Sequence, residues 1–248
     1  LKNKQRIEGD LFVDCTGFKS LLQKTPPTLL KDRLICDTAI AGHVQYGDLW
    51  KERIPYVICE AVECGWIWKI PLQSRIGTGI VFNKTITPVP QAKQIFLNYW
   101  KERVGPTKVI DWTPYYKKEF WKDNVVRIGL SAGFIEPLES TGLALAMEGA
   151  YQLLLALNGP GYTEHSRDIF NAVIKNFFED SIDLIGSHYT LNSRSEPFWR
   201  QARTQIKKSK KQLVYSKILK DPTQQWVGDV VSYSFFSKKS WLTWLNQQ

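Results

Sequence analysis

The sequence predicts an α+β fold, a mostly antiparallel sheet followed by a helical C-terminal region, on three observations. Residues 32–83 hold a series of β-rich runs joined by short connections. From Thr141 onward apolar residues recur at helical spacing. The 248 residues are 43% apolar, 13% aromatic and 23% charged, which suits a folded domain and excludes disorder, collagen and coiled coil. Ten Trp, ten Tyr and twelve Phe are enough to fill a sizeable core.

In chain order, Asp10 to Asp14 read as a strand entering a tight turn at Cys15-Thr16-Gly17, with helical Phe18 to Lys24 after it and Pro26-Pro27 as its end. Leu34 to Val44, Tyr56 to Val62, Trp66 to Pro71 and Ile76 to Phe82 are the runs of the antiparallel sheet. Pro88 to Val104 switches to helical spacing, with Ala92, Ile95, Phe96, Tyr99 and Trp100 on one face. Strand signals return at Val109 to Trp112 and Val125 to Leu130. Thr141 to Leu157 is an Ala- and Leu-rich helix, and Ile169 to Ile185 keeps a nearly unbroken apolar stripe that reads as core. Asn158-Gly159-Pro160-Gly161 separates these helices, and Gly186 and Pro197 punctuate the segment beyond them. The change of character places a boundary between 1–157, sheet plus first helix, and 158–248, helical.

Lys and Arg number 33 against 24 Asp and Glu, a net charge of +9 that attracts anions without choosing among them. The run Lys207-Lys208-Ser209-Lys210-Lys211 has no interleaved aromatics to stack bases, so it reads as a solvated helix face and nucleic acid is set aside. Charged residues interrupt every apolar run well short of the roughly 18 residues a membrane span needs, so a soluble chain with no membrane partner is expected. Cys15, Cys36, Cys59 and Cys64 form no CxxC and no Cys/His spacing, so no metal site is expected and a reducing, cytoplasmic setting fits. The N-terminus, Leu1 to Arg6, lacks an initiator Met and runs into a strand, which reads as a chain beginning in mid-domain.

The chemistry concentrates between Val126 and Leu143: a strand, a small-residue turn, an acidic loop with Pro137, and a helix opening at Ser140-Thr141-Gly142. Ser140 or Thr141 is an ordinary N-cap candidate. No Glu or Gln stands three residues after either, so the capping box is absent and helix N–H donors remain for a small anion. Gly142 adds close backbone access. Glu136 and Glu139 flank Pro137. Either reads as a surface carboxylate near a helix dipole, but a carboxylate beside an anion site suits general-base or charge-stabilising work, which singles out Glu139. In Gly65-Trp66-Ile67-Trp68-Lys69-Ile70-Pro71, strand alternation puts Trp66, Trp68 and Ile70 on one face, where core filling is the plain explanation.

Together these stretches resemble the flavin-dependent halogenases of the tryptophan halogenase family. Trp66 to Pro71 matches that family's W-x-W-x-I-P, and Gly133 to Thr141 matches its G-F-x-E-P-L-E-S-T. Asp10 to Phe18 is similar to the strand with which the flavin-binding fold resumes, and His188-Tyr189 with Pro197 to Arg200 is similar to the C-terminal helical region, so the resemblance spans about residues 8–200. It implies the C-terminal part of a flavin-monooxygenase-like fold. It also implies FAD, used as FADH2 from a separate flavin reductase, and a halide ion. Reduced flavin reacts with oxygen, the halide takes up the oxidising equivalent, and an aromatic substrate such as tryptophan or an indole is halogenated. Residue by residue, it implies halide binding at Thr141 and Gly142, a catalytic carboxylate at Glu139 and flavin contact at Leu130 and Leu143. Trp66 and Trp68 match tunnel positions, and Phe198 and Trp199 match a substrate-binding region. A homodimer is compatible with all of this.

Two family features have no counterpart here. The dinucleotide-binding G-x-G-x-x-G is absent, and Gly77-Thr78-Gly79 is only a G-x-G within a strand pattern. No lysine takes the family's catalytic position. The expectation is therefore the C-terminal portion of a longer enzyme, inactive alone. A flavin-dependent monooxygenase and an inactive truncated remnant are the alternatives.

Overall fold

The computed structural model describes residues 6–209, 212–214, 235–236 and 240–241. Lys210 and Lys211 of the basic run, and Leu1 to Gln5, lie outside the described residues. The strands are β1 (Phe12–Asp14), β2 (Pro27–Leu29), β3 (Thr38–Val44), β4 (Ile58–Val62), β5 (Gly65–Pro71), β6 (Ile76–Phe82) and β7 (Lys108–Asp111). They continue with β8 (Tyr115–Lys117), β9 (Trp121–Lys122), β10 (Val125–Arg127) and β11 (Gly133–Phe134). The helices are α1 (Leu49–Glu52), α2 (Val89–Tyr99), α3 (Thr141–Asn158), α4 (Glu164–Thr190) and α5 (Pro197–Gln205). The mixed α+β class, with largely antiparallel sheets, is as the sequence predicts; β1 and β10 form a parallel pair.

Two compact units emerge, each assembled from separated stretches. The first draws on described residues within Leu1–Leu30, Pro114–Leu184 and Gln225–Thr243, and the second on those within Lys31–Thr113, Ile185–Gln224 and Trp244–Gln248. A single boundary after residue 157 follows the change of composition; these units follow strand pairing, which joins segments distant in sequence, as β1 joins β10.

In the first unit, β1-β10-β9 and β11-β8-β2 are three-stranded sheets. Phe170, Ile174, Phe178 and Ile182 of α4 are buried at four-residue spacing, the apolar stripe read from the sequence. Phe120 stacks on Phe178 with centroids 5.3 Å apart, and Trp121 meets Phe170 edge-on. The Asn171 amide locks α4 to this strand region: its oxygen accepts from Phe120 N and Trp121 N, and its nitrogen donates to Trp121 O.

The stretch after β1 departs from expectation. Instead of a helix over Phe18 to Lys24 there is one 3-10 turn, Gly17–Lys19, ended by Ser20 in the left-handed region at φ 40°. Asp14 is the cause. Its carboxylate accepts from Thr16 N and Oγ1 and from Leu22 N, spending donors a helix would need elsewhere. Burial opposes ionisation of Asp14, yet these bonds outweigh it and hold the carboxyl below its ordinary range. Pro26-Pro27 likewise does not end the unit, since Pro27 opens β2 against Lys117. The strand expected over Val125 to Leu130 stops at Arg127 and passes into a 3-10 turn, Gly129–Ser131, with Gly129 at φ 70°.

In the second unit, β4-β5-β6-β3-β7 is an antiparallel sheet. Its connection between β5 and β6 spans residues 72–75, so Trp68 faces Gly79 across the hairpin. One face packs Ile40, Ile67, Ile80 and Phe82 against Ala92, Phe96 and Trp100 of α2 and its cap. Gly186 does not end α4, which continues to Thr190. A Cβ there would lie 2.7 Å from Gln212 Nε2, so the glycine serves close approach and not termination. Pro197 opens α5, where its missing N–H costs nothing.

An ion pair between Glu52 and Arg103, at 2.9 Å, ties α1 to the segment after α2. The Arg103 hydrogen bond holds the Glu52 carboxyl down at about 2. A depressed carboxyl stabilises the fold above its unfolded value and loses that contribution as pH falls toward the folded one, here from about 5 to about 2. Both side chains are partly exposed, so the pair is worth about 0.5–1 kcal/mol. Glu52→Gln is expected to lower unfolding free energy by that amount at pH 7, with the difference shrinking toward pH 2, as read by urea unfolding at a series of pH values.

Candidate functional site

Within the first unit a cavity of about 170 Å³ is lined by Arg127, Glu136, Ser140, Thr141 and Gly142, with Leu145, Ile174 and Phe178 as its apolar wall. That volume accommodates a few waters or a small hydrated anion and falls below the roughly 300 Å³ of a drug-sized ligand site.

The polar end is the start of α3. Ser140 is its N-cap, but at φ 53° and ψ 28° it lies in the left-handed region, and its side chain makes no capping bond. The residue type favours capping, yet Ser140, whose N donates to Pro137 O at 3.0 Å, does not have the extended backbone of a capping residue. No side-chain oxygen of Ser140 caps the first N–H groups. Thr141 is only 2% exposed and its Oγ1 has no hydrogen-bond partner among the described residues. Such a buried hydroxyl costs free energy unless something occupies the space beside it. A Cβ on Gly142 would meet no atom within 4 Å, so the backbone there is open to a ligand. An orphaned hydroxyl, an uncapped helix start and an unobstructed glycine on one cavity fit a small anion.

Glu139 is half-buried in the turn that enters α3, and Glu136 is fully buried on the cavity wall. Leu130 lies in the 3-10 turn packed on α3, where its carbonyl accepts from the Tyr115 hydroxyl. Leu143, just beyond Gly142, is 73% exposed. Both side chains are exposed beside this cavity, without lining it.

The second unit gathers the other candidates. Trp66 and Trp68 lie side by side on β5 with centroids 6.1 Å apart, as strand alternation predicts. Phe198 and Trp199 are buried on α5, and both rings pack against Tyr189. Trp199 Nε1 donates to Val62 O at 2.7 Å, fixing α5 to β4. Thus Thr141, Gly142, Glu139, Leu130 and Leu143 belong to one unit, and Trp66, Trp68, Phe198 and Trp199 to the other. Cys15, Cys36, Cys59 and Cys64 form no disulfide, and burial pushes the Cys64 thiol up to about 12. No helix among the described residues is long and apolar enough to cross a membrane.

Three roles are not readable from the sequence: that of Tyr189, whose hydroxyl accepts from Trp66 Nε1; that of Gly79, above which Trp68 lies; and that of Glu136, read there as a surface carboxylate but buried in the cavity wall. Only Gly79 leaves a usable signal, through the length of the hairpin connection.

The fold is that of flavin-dependent halogenases. It superposes on BrvH, a flavin-dependent halogenase from Brevundimonas sp. BAL3, with a TM-score of 0.84 and 31% identity, over 96% of this chain and 49% of that one. Residues 1–248 match the family model for tryptophan halogenase, and the chain belongs to that family. Similar relatives include the 7-chloro-L-tryptophan 6-halogenase KtzR of Kutzneria sp. (strain 744), 34% identical over 80% of this chain and 40% of the relative. Tryptophan 7-halogenase RebH of Lentzea aerocolonigenes is 33% identical over 78% of this chain and 38% of its own length. The chain therefore spans about two fifths of the curated relatives it matches.

Proposed function

We propose that the intact protein is a flavin-dependent halogenase that uses FADH2, oxygen and a halide to halogenate an electron-rich aromatic such as tryptophan or an indole. The uncapped start of α3, with the orphaned Thr141 hydroxyl on a small cavity, carries this reading. A monooxygenase would gain nothing from a halide-sized site there.

Reduced flavin, when bound, would supply the oxidising equivalent through its reaction with oxygen. Thr141 and the backbone at Gly142 would hold the halide at the positive end of α3, and Leu130 and Leu143 would border the flavin. Glu139 stabilises positive charge that builds on the aromatic ring as the halogen adds. Trp66 and Trp68 line the route that keeps substrate apart from the flavin, and Phe198 and Trp199 support the substrate-side wall. A separate reductase supplies FADH2, and four cysteines without a disulfide suit a reducing cytoplasm.

The test compares the intact protein with the 248-residue chain in an assay containing FADH2, oxygen, chloride or bromide, and a panel of indoles. The intact protein is expected to give a halogenated product by mass spectrometry. The chain alone is expected to give none and to bind FAD weakly in a fluorescence titration, because G-x-G-x-x-G and the family lysine are not in it. Hydroxylated product from the intact protein would favour the monooxygenase, and no product at all the inactive remnant. Tight stoichiometric FAD binding by the chain alone would mean that the cofactor site is wrongly placed.

A further inference from the structure

We propose that Tyr189 is a positioning residue whose hydroxyl fixes the indole of Trp66, and thereby sets how completely oxidising equivalents end in halogenated product; this rests on the halogenase reading above. Trp66 Nε1 donates to the Tyr189 hydroxyl at 2.9 Å, and both residues are buried, at 3% and 0% exposure. An indole N–H can only donate, and a buried one usually has an acceptor. The Tyr189 oxygen is itself within 3.3 Å of the buried Cys36 Sγ, so the indole, hydroxyl and thiol form a connected chain.

The tyrosine ring is held as firmly as its hydroxyl. It stacks on Trp199 at 5.9 Å and 25°, and meets Phe198 edge-on at 6.1 Å. Trp199 is in turn anchored to Val62 of β4, the strand beside β5. Phenylalanine would fill nearly the same volume at 189, so packing alone leaves the hydroxyl unexplained. Its specific contribution is orientation: without an acceptor, the Trp66 indole gains nothing from keeping its N–H edge toward position 189. A reoriented ring changes its contact with Trp68, 6.1 Å away at 58°, and with it the shape of the paired-indole face. A wall that no longer fits lets oxidant escape unspent, as hydrogen peroxide where peroxide leaves before the halide is oxidised and as hypohalous acid where it leaves after.

The test uses the intact protein with 15N-labelled tryptophan, the Trp66 indole signal being assigned by its loss in Trp66→Phe. In Tyr189→Phe that signal is expected to shift and to lose protection from solvent exchange. Halogenated product per reduced flavin should fall about threefold to tenfold, the equivalent of one net hydrogen bond, with matching release of hydrogen peroxide and hypohalous acid together and unchanged flavin affinity. An unmoved indole signal overturns the proposal, as does a moved signal with wild-type product yield. If Tyr189→Phe fails to fold, wild-type exchange decides the matter: protection of the Trp66 indole supports the hydrogen bond, and exchange as fast as that of an exposed indole overturns it. Wild-type protein that gives no halogenated product marks failure of the halogenase reading itself, and overturns the positioning role with it.

Discussion

Gly79→Ala is expected to lower the unfolding free energy by about 3 kcal/mol, while Gly77→Ala, two residues away in the same strand, changes it by less than about 1 kcal/mol. The contrast comes from what each new methyl would meet. At position 79 it would lie 2.1 Å from Trp68 Cη2 and 2.6 Å from the Ile40 carbonyl oxygen, so both an indole and a neighbouring strand must move. At position 77 its nearest neighbour is the Ile70 carbonyl oxygen at 3.8 Å, an ordinary contact. The glycine at 79 thus makes room for the second tryptophan of W-x-W-x-I-P, which lies across the hairpin and over β6. Thr78, between the two glycines, holds the same tryptophan from behind: its hydroxyl donates to Trp68 O at 2.6 Å and accepts from Trp100 Nε1 at 3.0 Å. In a protein of this size about 3 kcal/mol corresponds to a fall in Tm of roughly 6–12 °C. Thermal unfolding of the two variants beside wild type checks it, and equal midpoints would mean that Trp68 does not occupy the space above Gly79.

That G-x-G shows how a local pattern and its physical cause separate. Taken alone it invites comparison with a phosphate loop, but its strand position argues against that, and the structure supplies the steric reason for one of its glycines. Helices are legible where period and length agree, as in α2 and α3, because each buries one face and repeats accordingly, while β5 and β6, buried on both faces over much of their length, are legible from β-branched and aromatic composition. Short strands such as β9 and β11, of two residues, are not, since so brief a run has no period to read. The helix expected at Phe18 to Lys24 fails for another reason: a single buried carboxylate, Asp14, redirects the backbone donors, and propensity contains no term for it. The candidate anion site is legible as a missing capping box, but Ser140 still carries a capping hydroxyl in the sequence. Only its left-handed backbone reveals that the hydroxyl does not cap. Tyr189 is invisible as the partner of Trp66, because 123 residues separate them and nothing in either neighbourhood marks the pair.

In the intact protein Glu139→Gln is expected to slow the halogenation step about a hundredfold, on the order of 3 kcal/mol, while leaving flavin affinity unchanged. The substitution keeps the shape of the side chain and removes its charge. Charge on the aromatic ring builds only as the carbon–halogen bond forms, so a carboxylate that stabilises it acts on that step and hardly on ground-state binding. The turn at Pro137 to Ser140 places Glu139 half-buried at the entry to α3, two residues before Thr141 and three before Gly142. Flavin oxidation should therefore continue in the variant, with hydrogen peroxide or unspent hypohalous acid released in place of product. If Glu139 were only a surface carboxylate near a helix dipole, its loss would cost at most about 1 kcal/mol of stability and none of the turnover. Single-turnover product yield from pre-reduced flavin separates these outcomes, because it isolates the chemical step from flavin supply and product release. A variant matching wild type in both rate and yield would remove Glu139 from the chemistry and turn attention to Glu136, the carboxylate buried in the cavity wall.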